Sequence, residues 1–235
     1  MKWWQKLLVI LSCVVILIIS IITIMGYHQY QAAVRTIALE DKIHEIRNQP
    51  HFTDIDEISD DLLNATIAIE DRRFYRHGGV DILATCRAML GNIFGFNKSG
   101  GSTITQQLGK NMYFGYEPSL TRKVAELFVA RDLEQELTKD EILTIYVNII
   151  NYGDNHMGIY EAAYGYFGVA PSQLTLAQAS MLAGLPQSPA NYQLSDHYEN
   201  AKVRQEQVLT AMVKAGYINE REKEAALSEN VIPID

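Results

Sequence analysis

The chain has 235 residues, and its 20 Lys and Arg stand against 28 Asp and Glu, a formal net charge of −8. With 48% apolar and 20% charged residues it can bury a core, which excludes wholesale disorder. The acid excess excludes a general nucleic-acid binder, which needs a broad basic surface. Two cysteines, Cys13 and Cys86, exclude a disulfide-dense scaffold and a Cys-rich zinc site.

Residues 7–25 form 19 consecutive positions with no charge and no proline. As a helix this run spans about 28 Å, close to the thickness of a bilayer core. A cleaved signal peptide is the alternative, but its apolar region is shorter and ends at a small-residue cleavage site. Tyr27, His28, Gln29 and Tyr30 follow here instead. Lys2 and Lys6 precede the run, and the next charge is Arg35. Positive flanks stay in the cytoplasm, so the N-terminus is expected inside and the bulk of the chain outside. Trp3 and Trp4 suit the inner interface, and Cys13 reads as lipid-facing. The expected organisation is a cytoplasmic tail (1–6), a signal-anchor helix (7–25), a polar stalk (26–50) and one domain (51–235).

The domain reads as mainly α-helical, with little strand-like alternation. Ser59, Asp60 and Asp61 predict a capped helix start before Leu62, Leu63, Ile67 and Ile69. Ser119 predicts another, with Leu120, Val124, Leu127, Phe128 and Leu137 on one apolar face. Residues 139–148, 174–185 and 200–215 carry the same helical period.

Several groups along the domain have chemical potential. Glu70 ends an apolar helical run and is followed by Asp71, Arg72 and Arg73. Partial burial would suit it to general-base work, and simple pairing with the arginines is the plain alternative. Arg122, Lys123 and Glu126 fall on neighbouring helix faces, an arrangement also common in surface ion pairs. Gly100-Gly101-Ser102-Thr103 predicts a glycine turn entering a helix, with Thr103, Gln106 or Gln107, and Lys110 along one face. Such groups suit sugars and phosphates, or make an ordinary capped helix. From Glu70 to Glu126 eight Lys or Arg oppose five acids, a local net charge of +3. That basic window in an acidic chain fits an anionic ligand such as a diphosphate, or a solvated, internally paired face. Residues 82–96 are apolar enough for a core segment or an interfacial membrane contact. The histidines lack ligand spacing, so His77 reads as a structural hydrogen-bonding residue, and Cys86 reads as buried.

Taken together, five ordered segments resemble glycosyltransferase family 51, the peptidoglycan glycosyltransferases. They are Glu70-Asp71-Arg72-Arg73-Phe74 with His77 and Gly79; Gly101-Ser102-Thr103-Ile104-Thr105-Gln106-Gln107 with Lys110; Arg122-Lys123-Val124-Ala125-Glu126; residues 139–148; and residues 162–187, with Tyr166-Phe167-Gly168 and Leu182-Ala183-Gly184-Leu185-Pro186-Gln187. The resemblance covers about 52–217. Val147 and Leu194 depart from the family pattern, and residues 115–118 carry no basic side chain where some relatives have an arginine.

The resemblance implies a lysozyme-like, mainly α-helical domain with a small membrane-facing jaw lobe that would include 82–96. The implied substrate is lipid II, polymerised into β-1,4 glycan strands with inversion and release of undecaprenyl pyrophosphate. Moenomycin sensitivity and a part in cell-wall biogenesis and cell shape go with it. By the resemblance, Glu70 is the general base, Lys123 stabilises the leaving diphosphate, and Glu126 orients Lys123 or holds an assisting divalent cation such as Mg or Mn. Arg73, Ser102, Thr103, Gln106, Lys110 and Arg122 are the implied substrate contacts. No organic cofactor is expected. The implied partners are the growing glycan strand, the membrane and other cell-wall synthesis proteins, with no nucleic acid. No Ser-x-x-Lys occurs, so no transpeptidase is expected in this chain. A lysozyme-like lytic enzyme and a non-catalytic, membrane-anchored assembly factor are the competing functions.

Overall fold

The computed structural model describes residues 2–94, 100–115 and 117–234. Lys98 and the end of the apolar segment 82–96 lie outside the described residues, as does position 116 in the loop 115–118. The helices are α1 (Trp3–Thr36), α2 (Leu39–Arg47), α3 (Asp60–Glu70), α4 (Ile82–Phe94), α5 (Ile104–Tyr113), α6 (Leu120–Glu136), α7 (Lys139–Ile149), α8 (Ile159–Phe167), α9 (Leu176–Gly184), α10 (Pro189–Tyr192), α11 (Tyr198–Ala215) and α12 (Glu220–Ser228). Among the described residues extended pairing is confined to an isolated antiparallel bridge between Asn151 and Met157. The fold is mainly α, with one apolar helix among the described residues, at the N-terminus, long enough to cross a membrane.

Side-chain caps start several of these helices. Thr138 and Thr175 each close a reciprocal capping box, with Glu141 and Gln178. The Ser119 hydroxyl accepts from the Arg122 amide at 3.0 Å, as its position predicts. Ser59 differs. It sits at the start of α3, but its hydroxyl donates to the Leu174 carbonyl at 3.3 Å and so ties α3 to the approach to α9.

Two groups of helices share one core. α3, α9 and α11 pack together, and α5 lies against α6 and α7. Leu62, Leu182 and Val208 are fully buried in the first group, and Ile104, Leu108, Leu133 and Ile142 in the second. α3 therefore carries Glu70, its last residue, to the boundary between the groups.

The region read as a stalk is largely docked. α1 continues past the apolar run to Thr36 and packs along α6. α2 buries Ile43 and Ile46, spaced three apart on one helix face, against the domain. Arg47 then reaches Glu141 at 2.7 Å. Polar composition suggested a helix-prone stalk, and a two-residue apolar stripe is enough to seat so short a helix on the domain.

The apolar face expected on α6 is also divided. Val129 and Leu133 face the core, whereas Val124 and Phe128 meet α1 and Leu120 is 70% exposed. At the start of α4, Ile82 and Leu83 are exposed, which suits an interfacial role better than a core one.

Candidate active site

Buried Leu62, Leu63, Ile67 and Ala68 fix α3 in the core and leave Glu70 at its exit. The Glu70 side chain is only 13% exposed. Its Oε2 accepts from Gln107 Nε2 at 2.7 Å, and its Oε1 stands 3.7 Å from Arg204 Nη2. Tyr146 donates its hydroxyl to Gln107 Oε1 at 3.1 Å, so the Gln107 amide turns its NH₂ toward Glu70. Tyr146 is fully buried, and burial holds its pKa well above the ordinary value, which keeps it a donor.

The neighbouring arginines are placed otherwise than the plain alternative supposed. Arg72 is exposed, and Arg73 pairs with Asp81 at 3.4 Å. The cation beside Glu70 comes from α11, far along the chain. Arg204 reaches it because Gly184 leaves room: a Cβ there would lie 2.8 Å from Arg204 Cγ.

Across the cleft, α6 buries Glu126 to 1% side-chain exposure. Arg122 Nε lies 3.0 Å from Oε1 and Lys123 Nζ 2.7 Å from Oε2, through the i,i+4 and i,i+3 spacings. Lys123 also donates to Ser102 Oγ at 2.6 Å and is 43% exposed. Arg122 Nη1 donates to the carbonyls of Gly115 and Glu117 at 2.8 and 2.5 Å, which ties down the loop before α6. A buried carboxylate holding two cations is not a surface ion pair. Its geometry presents the Lys123 ammonium to the cleft.

Thr103 and Gln106 have structural work. Thr103 Oγ1 accepts from the Gln106 amide at 3.1 Å and donates to the Gly79 carbonyl at 2.5 Å. Gln106 Oε1 accepts from the Thr103 amide at 2.9 Å, which completes a buried capping box. Their polar atoms close the start of α5, and the next residue, Gln107, supplies the amide facing the cleft. Lys110 lines the same cleft, and burial pulls its pKa below the ordinary lysine value.

Glu70, Ser102, Gln107, Lys110, Lys123 and Arg204 thus line one open cleft of about 440 Å³. An adjoining hollow of about 230 Å³ shares Glu70 and Ser102 and is walled by Arg73 and Asp81. Lys110, Arg122, Lys123 and Arg204 outnumber Glu70 and Glu126, so the cleft favours an anion beside a carboxylate able to take a proton.

Glu126 Oε2 accepts from Lys123, while its buried Oε1 lies 3.0 Å from Arg122 Nε without a hydrogen bond. Asp71, His77 and Asp81 bring three possible ligand atoms within 4.8 Å of one another. The two carboxylates suit Mg or Mn, whereas an imidazole is a donor preferred by Zn, Fe or Ni. His77 Nε2 bonds both oxygens of Asp71, at 2.8 and 2.9 Å, and Asp71 also accepts from the Ile104 amide at 3.2 Å. Burial raises the Asp71 pKa, and the bonds from His77 oppose it. His77 is the structural hydrogen-bonding residue expected. Cys86 is exposed rather than buried, because α4 turns it to the surface; Cys13 is exposed on the apolar helix.

A mainly helical domain with a part-buried carboxylate facing a cation-lined cleft is the class that fold and site define. The profile of the transglycosylase family matches residues 39–213, and the chain belongs to that family. Penicillin-binding protein 1A of Neisseria flavescens is 45% identical over 181 residues, covering 77% of this chain and 23% of the relative. The Neisseria gonorrhoeae protein of the same name is 44% identical over the same shares. The chain therefore spans under a quarter of the length of these relatives. A provisionally named transglycosylase of Cupriavidus necator is 38% identical over 198 residues, 84% of this chain and 86% of that protein. The crystal structure of penicillin-binding protein 1A from Haemophilus influenzae aligns over 78% of this chain and 18% of that one, at 21% identity and a TM-score of 0.48. The family match begins at the first residue of α2, in keeping with the docked position of that helix.

Proposed function

We propose that the chain is a peptidoglycan glycosyltransferase that polymerises lipid II into β-1,4 glycan strands, with inversion and release of undecaprenyl pyrophosphate. The observation that carries this reading is Glu70 facing the Lys123–Glu126 pair across one cation-lined cleft. A sugar hydroxyl is a poor nucleophile at neutral pH, and a diphosphate leaves with its charge unmasked unless cations meet it. Glu70 takes the proton from the acceptor 4-hydroxyl as its oxygen attacks the donor anomeric carbon. The bond from that carbon to the diphosphate oxygen breaks on the opposite face, and the diphosphate keeps the electron pair. Lys123 meets the developing charge, with Lys110 and Arg122 behind it, and Glu126 holds Lys123 in place. Gln107 and Arg204 orient the Glu70 carboxylate. Arg73 and Ser102 line the substrate walls, and Thr103 and Gln106 act through the cap of α5. A bound Mg or Mn at the Asp71 and Asp81 carboxylates would supply positive charge beside the cleft; no step above depends on it.

Glycan strands formed from lipid II, with no fragments released from purified cell wall, are the expected products. Release of fragments without strand growth would replace this reading with the lytic enzyme, and lipid II binding without turnover with the assembly factor.

The burial of Lys110 gives a pH signature. Its pKa is lowered, so its charge, and with it diphosphate attraction, is lost as pH rises through a value below that of an ordinary lysine. Arginine keeps its charge throughout that range. Lys110→Arg should therefore extend lipid II binding to higher pH, read from binding curves across an alkaline series. Superimposable alkaline limbs would remove Lys110 from the diphosphate site.

The anchor is read as spanning the cell membrane once, N-terminus in the cytoplasm and catalytic domain on the outer face, with the growing strand and other cell-wall synthesis proteins as partners. The exposed Ile82 and Leu83 support a jaw lobe in contact with the membrane. Cys86 is exposed and tests the orientation. In a Cys13→Ser protein, a membrane-impermeant maleimide should label Cys86 in intact spheroplasts. Labelling only after lysis would reverse the topology.

A further inference from the structure

α1 does not leave the membrane as a free tether. Gly26, the first residue after the apolar run, is buried against α6. A Cβ added there would lie 2.6 Å from Val124 Cβ and 2.8 Å from the Thr121 carbonyl oxygen, so only glycine allows this approach. Beyond it, the Tyr27 and Tyr30 rings pack on Phe128, with centroids 5.2 and 5.5 Å apart, and the Tyr30 hydroxyl bonds the Asp132 carboxylate. Gly26 meets Thr121 and Val124, and Tyr30 meets Phe128 and Asp132, so α1 and α6 run in the same direction, away from the bilayer.

Thr121, Val124, Phe128 and Asp132 follow the helical period on one side of α6. Arg122 and Glu126 fall on the other, toward the cleft. α6 is thus held between the anchor helix and the site. Val124 packs at the level of Gly26, the residue that follows the apolar run. Lys123 immediately precedes Val124 on α6. The exposed Leu120 lies at the membrane-side end of α6.

We propose that Gly26 is a positioning residue. Its close contact with α6 sets the Lys123 ammonium at the phosphate layer of the membrane, where the diphosphate of a lipid-linked donor lies. The proposal rests on the glycosyltransferase reading above. It predicts a preference for donors held at that depth by their own lipid, over donors free in solution.

The test compares wild type, Gly26→Ala and Gly26→Leu in phospholipid vesicles, using lipid II with its long chain and a short-chain, water-soluble lipid II. Alanine is the better helix former, so a defect in Gly26→Ala does not come from helix propensity. Both variants should lose roughly ten- to hundredfold in turnover of the long-chain donor, as misplacement by about an ångström does, and distinctly less on the soluble donor. In parallel, a bimane on Leu120→Cys, with both native cysteines changed to serine, reports depth through quenching by lipids brominated at graded positions. The Gly26 variants should shift that quenching profile. Equal losses on both donors, or an unshifted profile, would overturn the proposal. Wild-type protein inactive on both donors would contradict the glycosyltransferase reading instead, and the quenching profile would still decide the placement of α6.

Discussion

Glu70→Gln is expected to cut lipid II polymerisation by roughly a hundredfold to ten-thousandfold, the range for loss of a positioned general base. The amide keeps the shape of the carboxylate and an oxygen for Gln107 Nε2, which now donates at 2.7 Å. It cannot accept the acceptor hydroxyl proton. The loss should therefore fall on kcat, with KM and lipid II binding near wild type. A steady-state comparison on purified protein checks it, and full activity would remove Glu70 from the base role.

The second large effect belongs to the pair across the cleft. Lys123→Ala should cost about a hundredfold to a thousandfold in turnover, as removal of a donor aimed at developing charge does. Glu126→Gln withdraws the carboxylate that holds Lys123 at 2.7 Å and Arg122 at 3.0 Å, so it should lower turnover too. Its stability cost lies between the surface and fully buried limits, about 2 kcal/mol, because Lys123 is 43% exposed while Glu126 is buried. Since Glu126 acts through Lys123, Lys123→Ala with Glu126→Gln should be little worse than Lys123→Ala alone. Fully additive losses in the double-mutant cycle would separate the two residues and leave Glu126 with a different task.

The helices carrying these residues were legible because caps and apolar periods are local. Thr103 shows how one local pattern carries two readings. Thr-x-x-Gln is itself a capping-box signature, and it marks Thr103 and Gln106 as a helix start before it marks them as ligands for a sugar. Gln107, one residue on, turns to the cleft because the cap leaves it that face. Arg204 had no local signal tying it to Glu70, 134 positions earlier; only its place among buried Ala201, Gln205 and Val208 hinted at an inward-facing charge. Such a pairing exists only once α3, α9 and α11 have packed. The docking of α2 and of the end of α1 was hidden for a related reason: Ile43, Ile46 and Gly26 are too few to outweigh a polar composition, yet each sits where a neighbouring helix needs it.

The central claim is strand synthesis at a cleft with Glu70 as base. Its most direct test is incubation of the detergent-purified protein and its Glu70→Gln variant with lipid II, with products resolved on a gel that separates glycan strands. A ladder from the wild type, suppressed by moenomycin and absent from the variant, is the predicted result. Lipid II bound without any ladder, or a ladder of equal strength from Glu70→Gln, would contradict it.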